Sequence, residues 1–475
     1  MKIDLTSWLK KGIAPRRTRS APSTFTRIVG WVFLFLTVSI LCSFAFWRIQ
    51  LYCEISRAFA RIRSHGFPTS GTELNIWRSL VPDEENGALL MTNALSGLHT
   101  FANSRANTID RAVILARTNI WSSATRALVE DYIRTNGQAV ARAQEALLLP
   151  RFRYPVDFSF GPETQLNHLT GLKDMALIAA LQSVLDAEES RADEWTEGVG
   201  LQLKLAGTLD DEPTVISHLV RGSIIRMAVK SAERNVNRAT PGEEACRNLQ
   251  FAFTRAGATN LLPLAFIGER ALMIPVFRLS RNESQSFGQE DESENHLRKP
   301  QRYSGKPPFF LWLSGLFERD LNFFLQSMEK SVEISGLPAP ENLCLTNYLR
   351  EESDTAQKRL YILSGLFLPS LSSVVVREAS TQARIELATT AMAVERFRLA
   401  RGRLPSTLSE LTPKFLDAVP PDPFDGAPLR YRLLDSGYVI YSIDADGHDD
   451  GGREAPEHRK SNDSTSYDIT FIVSR

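Results

Sequence analysis

Cysteine and histidine are scarce in this chain, and a net charge is absent. Of four cysteines in 475 residues, Cys42 lies in an apolar run and Cys53 just beyond it. Cys246 and Cys344 are far apart, so they are open to pairing in an oxidising compartment or to standing as buried free thiols. No C-x-x-C pair or Cys/His cluster offers zinc a site. The seven histidines, His65, His99, His168, His218, His296, His448 and His458, never share i, i+4 spacing. His168 and His218 fall in apolar helical stretches, where a packing role outweighs a catalytic one. Lysine plus arginine and aspartate plus glutamate stand at 55 each, which leaves no field for nucleic acid, and none is expected as a partner.

The local motifs of catalysis are also missing: H-E-x-x-H, the G-x-S-x-G elbow and the G-x-x-x-x-G-K-[ST] phosphate loop. Gly305-Lys306 runs into two prolines, and Gly198-Val199-Gly200 lacks the third glycine of a dinucleotide fingerprint. The acid pairs Glu243-Glu244 and Glu351-Glu352 read as solvated faces. No catalytic or cofactor-binding residue is assigned. A site assembled from distant helices leaves no such local signal.

What is present begins with an anchor. Ile28 to Trp47 is twenty residues without a charge, about 30 Å as a helix, with Trp31 and Trp47 near its ends. Lys2, Lys10, Lys11, Arg16, Arg17, Arg19 and Arg27 precede it against Asp4 alone, whereas fewer basic residues follow, Arg48, Arg57, Arg61 and Arg63. The positive-inside rule then puts residues 1–27 in the cytoplasm and the body outside it, a single-pass topology of a bacterial inner membrane with a periplasmic body. Ser43-Phe44-Ala45 resembles a signal-peptidase site, but the length of the run and the aromatic residues after Ala45 favour retention. A lipoprotein reading at Cys42 fails on the bulky Leu41 before it.

Residues 48–377 read as a large helical domain, a bundle or an irregular helical-repeat array. Apolar residues recur at three- and four-residue steps over Asn167 to Leu185 and Val215 to Ala232. Pro213 and the acids Asp211 and Glu212 make a start for the second stretch. Further helices are expected near 84–103, 122–148, 191–208, 242–256, 307–333 and 339–365. The polar run near 282–306 has no aliphatic period and reads as a loop. Asn282-Glu283-Ser284 and Asn462-Asp463-Ser464 fit a glycosylation pattern that arises often by chance.

Residues 378–475 read as a small α+β module. An alanine-rich helix over Gln382 to Arg401 stops at Gly402, and a short helix follows over 407–411. Strands are expected over 429–434, 438–443 and 469–473, with a hairpin at Asp435-Ser436-Gly437. Between the last two strands Asp444, Asp446, Asp449, Asp450 and Asp468 would repel one another if they converged; a hard divalent cation with oxygen ligands would relieve that. The loop is no EF-hand, since Asp449 occupies the sixth position where glycine is required. An acidic surface loop without metal is the plainer reading of the same residues.

Gly402-Arg403-Leu404-Pro405, Asp422-Pro423-Phe424-Asp425-Gly426, Leu429-Arg430-Tyr431, Tyr441-Ser442-Ile443-Asp444-Ala445-Asp446-Gly447, Gly451-Gly452 and Asp468-Ile469 come in an order that resembles the C-terminal half of the major pseudopilin of type II secretion systems. The resemblance implies a helix packed on a small sheet and a final loop that binds calcium, with Asp446 and Asp468 as ligands and Asp444 and Ser442 as weaker ones. The chain departs from that family in two ways: Ile28 to Trp47 holds no glutamate, and residues 48–377 separate it from the module. The whole layout, with Gly66-Phe67-Pro68-Thr69-Ser70-Gly71 and Asp83-Glu84-Glu85-Asn86-Gly87-Ala88, resembles uncharacterised membrane-anchored proteins of planctomycete- and verrucomicrobium-type bacteria. The expected function is an envelope interaction or structural protein with a calcium-stabilised tail. The rivals are a component of a secretion or pilus-like apparatus and an envelope hydrolase.

Overall fold

The computed structural model describes residues 24–101, 104, 115–278, 314–456 and 466–474. Most of the basic tail, the polar run near 282–306, both glycosylation patterns, His296 and His458 lie outside the described residues. The protein is mainly α-helical, with an apolar N-terminal helix and a small antiparallel sheet near the C-terminus. It divides between Glu54 and Ile55 into two compact units.

Helix α1 runs Thr24–Ser64 and crosses that division. Its apolar stretch leaves Trp31, Phe33, Phe35 and Ile40 exposed by two thirds or more. An uncharged helical run of this length meets the requirement for spanning a bilayer, whose interior leaves no backbone group unpaired in a helix.

In the second unit the helices are α2 (Gly71–Trp77), α3 (Gly87–Ser96), α4 (Ser123–Ala146), α5 (His168–Glu188), α6 (Ala192–Gly207), α7 (Val215–Val236), α8 (Glu243–Gly257), α9 (Leu262–Met273), α10 (Leu316–Ser335), α11 (Cys344–Lys358) and α12 (Ile362–Arg401). Side-chain caps open several of them: Ser70, Asn86, Ser122 and Thr214 each accept a backbone N–H in the first turn, which satisfies a donor that the helix leaves free. Gly268 lets α9 touch the chain before α7, because a Cβ there would lie 1.6 Å from the Pro213 carbonyl oxygen.

Two cores result. One joins α3 to α8 with the second half of α12 and the sheet, through residues such as Trp195, Ile224, Phe253, Met392, Tyr438 and Phe471. The other joins Ala58 and Ile62 to α9, α10, α11 and the first half of α12. Helix α12, about 60 Å long, belongs to both. It is also long and apolar enough by composition to cross a membrane, yet its apolar face is spent on these cores.

The helix expected over 339–365 and the separate one over 382–401 are replaced by α11 and an unbroken α12. Leu360 adopts φ 59°, a left-handed turn that stops α11. The start of α12 is capped by Asp320 of α10, whose carboxylate accepts the N–H groups of Leu363 (2.9 Å) and Ser364 (3.1 Å). A cap donated by a residue more than forty positions away leaves no mark in the local sequence.

The sheet has the order β1 (Arg430–Leu434), β2 (Gly437–Ser442), β3 (Ile469–Ser474), antiparallel throughout. Leu434 pairs with Gly437 around a two-residue turn, and a Cβ on Gly437 would lie 1.9 Å from the Val473 carbonyl oxygen. The outer edge of β3 is filled by α7. Glu233 accepts the Ile472 N–H (2.8 Å), Asn237 accepts the Ser474 N–H (2.7 Å), and the Asn237 amide donates to the Ile472 carbonyl (2.9 Å). The match is geometric: four residues of helix advance about 6 Å, and two residues of strand about 6.6 Å. Position 377/378, expected to divide helical body from module, falls inside α12.

Candidate functional site

The acidic loop leaves β2 at Ser442 and folds back over the outer face of the sheet. Gly452 lies against Tyr441 and Val439, where a Cβ would meet the Tyr441 ring at 3.0 Å. Asp444 takes φ 57°, a conformation aspartate tolerates better than most residues, and Gly447, Gly451 and Gly452 all have positive φ. Asp468 ties the loop down: its N–H donates to the Arg453 carbonyl (3.1 Å), and its carboxylate accepts the N–H groups of Gly452 (2.7 Å) and Asp450 (3.4 Å).

The four expected ligands take different partners, although Asp444 and Asp446 are near enough to repel each other. Ser442 is fully buried and donates to Asp422 Oδ1 (2.8 Å). Asp444 turns toward Ser380 and Arg384 of α12; burial and the neighbouring Asp446 charge raise its carboxyl above the usual range, against those partners and the Ala445 N–H. Asp446 accepts the His448 N–H (3.1 Å) and the Ser466 hydroxyl. Asp468 instead gathers with Asp449 and Asp450. Burial raises its carboxyl, the two backbone N–H groups lower it, and the two neighbouring aspartates raise it further. Among the described residues no three His, Cys, Asp or Glu side chains form a metal cage.

Asp450 Oδ2 is buried without a hydrogen-bond partner, beside the Asp468 carboxylate that Asp450 repels. Asp449 is the least needy of the three, since Arg430 donates to it (3.2 Å). The oxygen donors suit Ca²⁺, which accepts irregular sets completed by water.

Asp422 holds the base of this arrangement. Fully buried, it accepts from Ser442 Oγ and the Phe424 N–H at Oδ1 and from the Ile443 N–H and Arg430 at Oδ2. Arg430 also reaches Asp425 (2.5 Å), so one guanidinium links three carboxylates.

A second place of interest is a pocket of about 270 Å³ where the end of α8, the segment 337–342, the middle of α12 and Pro421 and Pro423 come together. Glu378, Gln382 and Glu386 line it at i, i+4, i+8 of α12. Burial opposes the charge on Glu378, but His218, 3.0 Å away, together with Arg221 and Arg226 holds its carboxyl below the usual range. Burial raises the Glu386 carboxyl, with only the Gln382 amide (2.7 Å) to lower it. The sequence did carry a signal, a polar stripe at four-residue steps on an alanine-rich helix, but not what the stripe faces.

The buried cluster His168, Glu212 and Ser217 is not a nucleophile relay. Glu212 stands in its middle, taking His168 Nε2 (2.9 Å) on one oxygen and the Ser217 hydroxyl (2.7 Å) on the other, so no imidazole is placed to activate the serine. Tyr154 stacks on His168 at 4.1 Å, and the whole group ties the start of α7 to α5. Cys246 is buried and Cys344 exposed, both as free thiols. No protein-family model, curated protein or solved structure matches this chain.

Proposed function

We propose that this protein is a membrane-anchored envelope protein of interaction or structural type, with its body outside the cytoplasm and a C-terminal loop that calcium orders. The observation that carries the reading is the buried, unpartnered Asp450 Oδ2 beside Asp468. Asp450 and Asp468 would hold the ion, with water completing the set; Ser442 is committed to Asp422, Asp444 to α12, and Asp446 to His448 and Ser466. Calcium would neutralise like charges that otherwise oppose burial. Because the loop covers Tyr441 and Val439, ordering it stabilises the sheet, and the sheet shares the main core.

The test is thermal unfolding of the detergent-solubilised full chain in excess calcium and in chelator. At a calcium concentration a hundredfold above its dissociation constant, the native state gains about 2.7 kcal/mol, which raises the melting temperature. Asp450→Asn with Asp468→Asn should remove the rise. A wild-type melting temperature indifferent to calcium sinks the metal reading.

A further inference from the structure

The pocket beside α12 belongs to neither the acidic loop nor the anchor, and its chemistry is one-sided. We propose that it binds a small organic cation, a primary amine or guanidinium. Four features converge on it. Glu378 and Glu386 both line it, and among the described residues no lysine or arginine does. Asn342 contributes a side-chain oxygen, Oδ1, that is buried without a partner. Helix α8 ends at Gly257, and Gly257, the C-cap Ala258 and Thr259 line the space, which brings the negative end of a fifteen-residue helix to it. Proline and alanine supply the apolar remainder, suited to an alkyl chain.

The charge balance decides which group is left wanting. Glu378 already has His218, and Arg221 behind it is spent on Asp210 (2.6 Å) and the Ala256 carbonyl (2.7 Å). Glu386 has only a neutral amide, and burying a carboxylate without a counter-charge is costly. A ligand ammonium would supply that charge, with Asn342 Oδ1 as a further acceptor. The larger hollow of about 650 Å³ between α4, α6 and α8 also carries more acid than base, Asp193, Glu197 and Glu244 against Lys204, but those three acids are exposed and solvated, so none of them needs a counter-charge. The volume of about 270 Å³ suits a ligand the size of an amino-acid side chain or a short diamine.

Isothermal titration of the full chain in detergent with putrescine, lysine and arginine tests this, with 1-butanol and hexanoate as controls. The cations should bind and the controls should not. Glu386→Gln, which keeps shape and the Gln382 contact, should weaken binding about tenfold or more with the melting temperature retained. Asn342→Asp, adding an acceptor charge, should strengthen it. A short lysine peptide distinguishes the sources: binding of free amines marks a small-molecule ligand, and binding of the peptide alone marks a polypeptide, either of which sustains the cation. No heat with any probe up to about 10 mM, or equal affinity in Glu386→Gln, overturns the proposal.

Discussion

Replacing Asp422 with asparagine isolates the joint on which the C-terminal sheet rests. The carboxylate accepts four hydrogen bonds, from Ser442 (2.8 Å), Phe424 (3.0 Å), Ile443 (3.0 Å) and Arg430 (2.9 Å). Asparagine keeps the shape but only one accepting atom. If its oxygen stays with Ser442 and Phe424, its amide confronts two donors. The orphaned Ile443 N–H alone costs about 1–3 kcal/mol. Breaking a buried charge pair costs about 3–5 kcal/mol, but Arg430 keeps Asp425 and Asp449, which sets the sum near the lower end, about 3 kcal/mol. Hydrogen exchange reads this locally. If the sheet opens without the helical body, amides of β2 should exchange about a hundredfold faster, while those of α5 and α6 keep wild-type rates. Exchange in β2 within about threefold of wild type, less than about 1 kcal/mol, would refute the assignment of Asp422 as the joint.

Two further expectations concern charge and topology. Burial pushes the carboxyls of Glu233 and Glu269 up to about 7, against an ordinary 4.5; Glu233 sits among Arg117, Arg384 and Glu454. A raised native pKa means stability is fully present below about 4.5 and is lost as pH rises through about 7, by up to about 3 kcal/mol per group. The apparent melting temperature should therefore fall across that window, and less steeply in Glu233→Gln; an unchanged slope in that variant would count against burial as the cause. Cys344 is exposed, so a membrane-impermeant maleimide should label it from the outer side of the cytoplasmic membrane without lysis. Labelling only after lysis would reverse the proposed orientation.

Periodicity and punctuation made much of the secondary structure legible. The apolar run of α1, the 3.6-residue pattern of α5 and α7, Gly402 as the end of α12 and the Asp435-Ser436 turn all express themselves over a few neighbouring residues. The boundary near 339–382 was not legible, because Asp320 caps α12 from another helix. Ligand choice in the acidic loop was limited for a similar reason. Spacing shows that carboxylates cluster, whereas their partners decide which remain free: Asp422 takes Ser442, α12 takes Asp444, and Asp450 is left over.

The sequence by itself determined the apolar N-terminal helix, the mainly helical body and the small terminal sheet, since hydrophobic period and turn chemistry are local properties. Only the tertiary structure decided that one forty-residue helix serves two cores, that Glu233 and Asn237 close the edge of β3, and that Glu386 faces a pocket with the end of α8 and Asn342. These depend on which distant surfaces meet, and a helix shows the same pattern whichever neighbour buries its face.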